Sequence, residues 1–220
     1  MNTVHLTDCM DFMADKPDNY RDLAIADPPY GIGADGNNGS TGKHGGRKAH
    51  KIKDWDKRPP DILYFNELFR VSNNQIIWGA NYFPQFLKRS MGWILWDKGQ
   101  RIKQSDGELA YTSFNRALRI VTINRVELLK EGTIHPTQKP IVLYKWLLKN
   151  YAKPGQTIFD SHVGSGSSRI ACHDLGFDFE GCEIDPDYWQ AQEDRYNNHI
   201  QQGGLFEKEE IQDLVYGEAK

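Results

Sequence analysis

Apolar positions fall into short solid runs and helical stripes that alternate along the chain. Residues 22–26 (DLAIA) form a compact apolar run that stops at Asp27 and two prolines, which predicts a buried strand with an abrupt end. Residues 61–71 space Ile62, Phe65, Leu68 and Phe69 as one face of a helix. Residues 75–79, 92–96 and 118–123 predict strands, and in the second of these Trp93 and Trp96 face opposite sides. Residues 138–151 carry apolar side chains at Ile141, Tyr144, Leu147, Leu148 and Tyr151, a helical stripe. A short strand at 157–159 leads into a Gly/Ser turn and a helix through 170–175, with Gly176 as its C-terminal stop. A strand at 177–184 and a helix at 186–199, with Pro186 near its start, complete the series. This alternation predicts an α/β fold whose mostly parallel central sheet is covered by helices on both faces.

Composition narrows the class. The 220 residues fit a single domain. No apolar run is long enough for a membrane span, and the first residues lack the basic-then-apolar pattern of a secretory signal. Cys9, Cys172 and Cys182 form no CxxC pair, which speaks against a disulfide framework or structural zinc and for packing roles in a cytoplasmic protein. The histidines form no metal-ligand pattern, so no metal is expected.

The net charge of −3 argues mildly against a nucleic-acid partner, but it is unevenly spread. Residues 31–60 are rich in glycine and asparagine first and basic later. Between residues 41 and 60, Lys43, Arg47, Lys48, Lys51, Lys53, Lys57 and Arg58 are opposed only by Asp54 and Asp56, which leaves that part at +5. It reads as a long flexible loop, and residues 205–220 read as an acidic tail.

Two constellations carry chemistry. Asp27-Pro28-Pro29-Tyr30 follows a strand, where open parallel sheets bind ligands. Asp27 offers a carboxylate acceptor, Pro28 and Pro29 have no N–H and fix carbonyls stiffly, and Tyr30 offers a flat ring. That set suits a planar ring bearing an exocyclic amine, stacked on Tyr30 and hydrogen-bonded to Asp27 and the Pro28 carbonyl; as a bland alternative, Asp-Pro-Pro simply ends a strand. The second constellation runs from Asp160 to Ser168, with Gly164, Ser165, Gly166 and Ser167 between strand and helix and Glu183 about twenty residues on. A glycine turn before a helix, followed by an acid at the next strand end, suits the ribose of an adenosine cofactor, or is only a tight β–α turn. Arg169 stands where a dinucleotide fingerprint needs its third glycine, and no Gly-Lys-Ser/Thr is present, so S-adenosylmethionine is the better candidate.

Together these motifs resemble the amino-methyltransferases of DNA, and their order (Asp27–Tyr30 first, Asp160–Gly166 last) resembles the beta class, a circularly permuted Rossmann-like methyltransferase fold. His135-Pro136-Thr137-Gln138-Lys139-Pro140 strengthens the resemblance, which covers residues 7–196. It implies that Asp27, Pro28, Pro29 and Tyr30 are catalytic, and that Asp8, Asp27, His135, Thr137, Lys139, Asp160, Gly164, Ser165, Gly166, Ser167 and Glu183 bind S-adenosylmethionine. Asp8 serves equally as a helix N-cap, the HPTQKP segment can cap the helix after it, and Lys139 can pair with a carboxylate.

The expected reaction is direct methyl transfer to the 6-amino group of a flipped-out adenine in DNA. Cytosine N4, RNA, and a binding module without turnover are the alternatives. The basic stretch, with Trp55 as an aromatic cover or an anchor, is the expected DNA contact. There are two departures from the family pattern. Ser161-His162 stands where the family reads Pro-Phe, with His162 expected to face solvent. Residues 116–134 are too short for the usual recognition region, so a homodimer partner becomes a way to complete recognition.

Overall fold

The computed structural model describes residues 1–36, 49–99, 105–124 and 126–203. Its elements in chain order are β1 (Asn2–Leu6), α1 (Cys9–Ala14), β2 (Arg21–Ala26), α2 (Ile62–Val71), β3 (Ser72–Trp78), β4 (Trp93–Asp97) and β5 (Gly107–Thr112). They continue as β6 (Arg119–Thr122), α3 (Val126–Glu131), α4 (Ile141–Tyr151), β7 (Thr157–Asp160), α5 (Ser167–Asp174), β8 (Asp178–Glu183) and α6 (Pro186–Gly203). The strands form one sheet of eight in the order β1-β8-β7-β2-β3-β5-β4-β6 among the described residues. Only β5 runs antiparallel to its neighbours, so the expected mostly parallel sheet is what forms.

The period-2 alternation of the central strands builds two cores. Leu23, Ile25, Ile76, Trp78, Ile94 and Ile158 point to the face covered by α4 and α5, meeting Leu143, Leu147, Leu148, Ala171 and Cys172. Ala24, Ala26, Ile77, Phe159 and Cys182 point to the face covered by α1 and α2, meeting Met13, Phe65 and Leu68. Trp96 belongs to the first core and Trp93 packs against the second, which confirms their opposite facing. The three cysteines are buried and unpaired, as packing residues. Helix starts follow local chemistry: the Asp61 carboxylate accepts from the Leu63 N–H at 2.9 Å to open α2, and Asp8 accepts from the Met10 N–H at 2.8 Å to open α1.

Two parts of the sequence reading change. Residues 116–134, the short possible recognition segment, are not all loop: β6 and α3 form within them. Arg116 there donates to the Asn150 carbonyl and lies over the Tyr151 ring. Strands β1 and β5 also escape the apolar pattern, because β1 is a half-buried edge strand and β5 carries Glu108 inward.

Leu147 is fully buried against the sheet. Leu147→Ala is expected to cost about 2–5 kcal/mol of stability, through lost transfer energy and a residual cavity, read as a lower urea midpoint.

Candidate active site

Strands β2, β7 and β8 are parallel neighbours and end at the same edge of the sheet. Asp27 therefore follows β2 beside Asp160 at the end of β7, and Glu183 at the end of β8 stands one strand further on. A cavity of about 690 Å³ opens there. Asp27, Pro28, Pro29 and Tyr30 line it together with Gly164, Ser165, Glu183, His135, Thr137 and Lys139. The two constellations, over a hundred residues apart in the chain, thus share one chamber.

Each oxygen of the Asp27 carboxylate already accepts from one donor. Its Oδ1 accepts from the Tyr30 hydroxyl at 2.5 Å, and its Oδ2 accepts from the Lys139 ammonium. Lys139, 2% exposed, lies on the catalytic side of the chamber, 3.1 Å from Glu108 Oε2, with Lys98 2.7 Å from Glu108 Oε1. The pairing of Lys139 with a carboxylate is therefore met. Burial raises Asp27 above the usual carboxylate range, only partly offset by Lys139. Burial would also raise Glu108, but the Lys139 and Lys98 ammoniums outweigh it and hold the group at about 2. Glu108 and Lys98 went unnoticed in the sequence; the signal available was an acid inside an otherwise apolar run, GELAYT.

Tyr30 is held as a flat plate. Tyr82 stacks on it with centroids 4.9 Å apart and planes 16° from parallel. Gly79 also packs directly against the ring: its φ of 67° is left-handed, and an added Cβ would overlap the Tyr30 ring.

The glycine turn is equally determined. Gly166, with φ of 76°, opens α5. Glu183 accepts from the Gly164 and Asp185 N–H groups at 2.8 and 2.9 Å, which fixes its carboxylate at the cavity wall beside the exposed Ile184. Asp160 does not line the cavity. It is 1% exposed and accepts from the His162 N–H and the Ser168 hydroxyl. Burial pushes it up to about 7, against those hydrogen bonds and with Asp27 and Glu183 adding to the rise. Gly166 and Ser167 support the turn from behind, with the Ser167 hydroxyl accepting from Arg195 at 2.9 Å. Asp8 also lies outside the cavity lining, in its N-cap position.

His162 corrects the sequence reading. It does not face solvent: it lines the cavity, its Nδ1 is 2.9 Å from the Ser161 hydroxyl, and its ring meets Tyr64 edge-on. Burial lowers it to about 4, so it is neutral. His135 is lowered to about 3, by burial first and then by His50 and Lys139, and is a neutral partner for Thr137.

The basic stretch is described in part. Lys43, Arg47, Lys48 and the 205–220 tail lie outside the described residues. The described remainder is anchored rather than loose: Asp56, 1% exposed, accepts from the Gly31 and Ala34 N–H groups at 2.7 Å each. Lys53, expected on DNA, instead clasps Asp185 at 2.5 Å and Asp187 at 2.7 Å. Trp55 stacks on His135 with centroids 5.2 Å apart and walls the cavity, the anchoring and covering role. Lys57 pairs with Asp54 at 3.0 Å, and Lys51 and Arg58 are exposed. Among the described residues no group of histidine, cysteine or acids could hold a metal ion, and no helix is long and apolar enough to cross a membrane.

A doubly wound, mostly parallel sheet whose strand ends and glycine turn open on one chamber defines a Rossmann-like methyltransferase fold. A family model described as DNA methylase, of the N6/N4 type, matches residues 77–194, and the chain belongs to that family. The resemblance to S-adenosylmethionine-dependent amino-methyltransferases of DNA is borne out at this level. Over 86% of its length the chain is 23% identical to the putative methylase YubD of Escherichia coli K12, covering 87% of that protein. It is 22% identical to the type II methyltransferase M2.MboI of Moraxella bovis, with 88% and 87% covered. Among solved structures, the M1.HpyAVI–SAM complex superposes with a TM-score of 0.60 at 19% identity, over 90% of this chain and 100% of that one. The cytosine-N4-specific PvuII DNA methyltransferase superposes at 0.61 and 12% identity, over 98% and 92%.

Two outcomes follow from this geometry. Gly79→Ala pushes the Tyr30 ring off its plane, and methyl transfer to DNA is expected to fall at least about tenfold; unchanged transfer would show that the plate is not needed. Asp160 binds its proton more tightly folded than at its ordinary 3.8, so its burial penalty grows as pH rises from 3.8 to about 7 and is constant above. The stability of Asp160→Asn relative to wild type should therefore increase across that window in urea titrations, then level off.

Proposed function

We propose that this protein methylates the 6-amino group of adenine in DNA, acting on a base flipped out of the duplex. The observation that carries this reading is the shared chamber: the Asp27–Tyr30 corner and the Gly164–Glu183 corner line one cavity. The base lies along Tyr30, and its amine donates to the Asp27 carboxylate and the Pro28 carbonyl. Those two acceptors draw the nitrogen lone pair out of the ring and direct it across the chamber. As the nitrogen gains its methyl group it must shed a proton, and Asp27 is the carboxylate placed to take it.

The residues on the other side suit the methyl donor. Glu183, locked by two backbone N–H groups, presents its carboxylate to a ribose diol, and Ile184 offers apolar surface to a flat base. Gly164 and Ser165 allow close approach, and His135 and Thr137 bound the chamber beyond them. Bound there, S-adenosylmethionine supplies an electrophilic methyl on a sulfonium. Asp8, Asp160, Gly166 and Ser167 support this half from outside the lining. Trp55 and the neutral His135 and His162 rings wall the chamber without adding charge to it.

DNA is the proposed partner, met through exposed Lys51 and Arg58 and through the basic residues 43, 47 and 48, with affinity that falls as salt rises. A homodimer would supply recognition surface that a single short chain lacks. Cytosine N4 is the second reading, favoured by the likeness to the cytosine-N4-specific PvuII enzyme. Digesting treated DNA to nucleosides and weighing them decides: 6-methyladenine is expected, and 4-methylcytosine sinks the adenine reading. Asp27→Asn is expected to lower transfer by about 10²–10³.

A further inference from the structure

Asp27 already holds two donors when an amine arrives, and the ammonium bound to it competes with the amine for its charge. One oxygen already accepts the Tyr30 hydroxyl and the other the Lys139 ammonium. Tyr30 is a poor candidate to yield, because its ring is stacked on Tyr82 and packed against Gly79. Lys139 can yield only if its charge stays compensated. It is 2% exposed, and a buried ammonium deprived of its counter-ion is strongly destabilising.

A second carboxylate stands ready. Glu108 Oε2 lies 3.1 Å from the same nitrogen, on β5, the strand that runs against its neighbours. Lys139 thus already divides its charge between the two carboxylates, with Asp27 the shorter contact. The other Glu108 oxygen is pinned by Lys98, which keeps the carboxylate oriented and ionised. An ammonium has three donors, so Lys139 can move its strongest contact from one carboxylate to the other without leaving the cluster.

We propose that Glu108 is a positioning residue of this site: it is the second seat for the Lys139 ammonium, which moves from Asp27 to Glu108 when the target amine takes the Asp27 carboxylate. The inference rests on the reading of Asp27 as the amine's acceptor and adds a residue to it. No covalent bond changes in this step; one ion pair is exchanged for another.

The electrostatics of Asp27 supply a readout that a structural role would not move. Lys139 faces it from the segment before α4, Glu108 from β5 and Tyr30 from its own corner, with Asp160 of β7 and Tyr144 of α4 within electrostatic reach. With Glu108 neutral, Asp27 loses a like charge and gains an undivided counter-ion, so it titrates lower.

The test compares wild type, Glu108→Gln and Glu108→Gln/Lys139→Met, using unmethylated genomic DNA as acceptor. S-adenosylmethionine affinity is measured separately by calorimetry without DNA. In Glu108→Gln, Lys139 holds Asp27 permanently. Its kcat/KM for DNA is expected to fall about tenfold or more while cofactor affinity stays within about twofold. The acid limb of kcat/KM should move to lower pH. Removing Lys139 as well removes the competitor, so the double variant should recover part of the lost rate. An unmoved acid limb in Glu108→Gln, or a double variant that binds cofactor yet is slower than the single one, overturns the proposal. If the double variant binds no cofactor, the acid limb of Glu108→Gln decides alone. A wild type that binds cofactor but methylates no DNA refutes the proposed function itself, and this inference with it.

Discussion

The ion cluster of Asp27, Lys139, Glu108 and Lys98 is the constraint around which the rest of the chain is arranged. Charges of this kind are tolerated inside a protein only when paired, because desolvating an unpaired ion costs several kcal/mol. The four groups come from the end of β2, the segment before α4, β5, and the residue after β4. They meet only if β2, β3, β5 and β4 stand in that order, with β5 reversed so that Glu108 points back toward the ends of the parallel strands. The antiparallel strand is thus no irregularity at the sheet's edge. It is the means by which a fourth charge reaches the chamber. The prolines after Asp27 serve the same end, since they stop β2 from extending past the point where its carboxylate meets Lys139.

Much of this was readable in advance, for physical reasons. Buried parallel strands must be apolar on both sides, so 22–26, 75–79 and 157–159 stood out, and α4 showed its stripe because one side only meets the core. The two chemical corners were visible because each is local in sequence. What escaped was non-local. β1 is half-buried at an edge and shows no strong alternation, and β5 carries its acid inward, where a pattern search reads polarity as surface. His162 looked like a loop residue because nothing near it in sequence reveals Tyr64 and Cys9, over ninety residues away, closing around it.

The basic stretch shows why net charge is a poor guide to partners. Its +5 was counted as if every cation were available, but two are committed within the described residues. Lys53 neutralises Asp185 and Asp187 at the start of α6, and Lys57 neutralises Asp54. Lys53 also lies over the Tyr188 ring, itself packed on His135, which carries Trp55 on its ring. The segment from Lys53 to Asp56 is therefore part of the chamber wall, riveted by one buried acid and one shared lysine. The charge left for phosphates is smaller than composition suggests and concentrated toward residues 43–51 and Arg58. A domain of this length places its chemistry on rigid strand ends and spends part of its basic loop on closing the chamber.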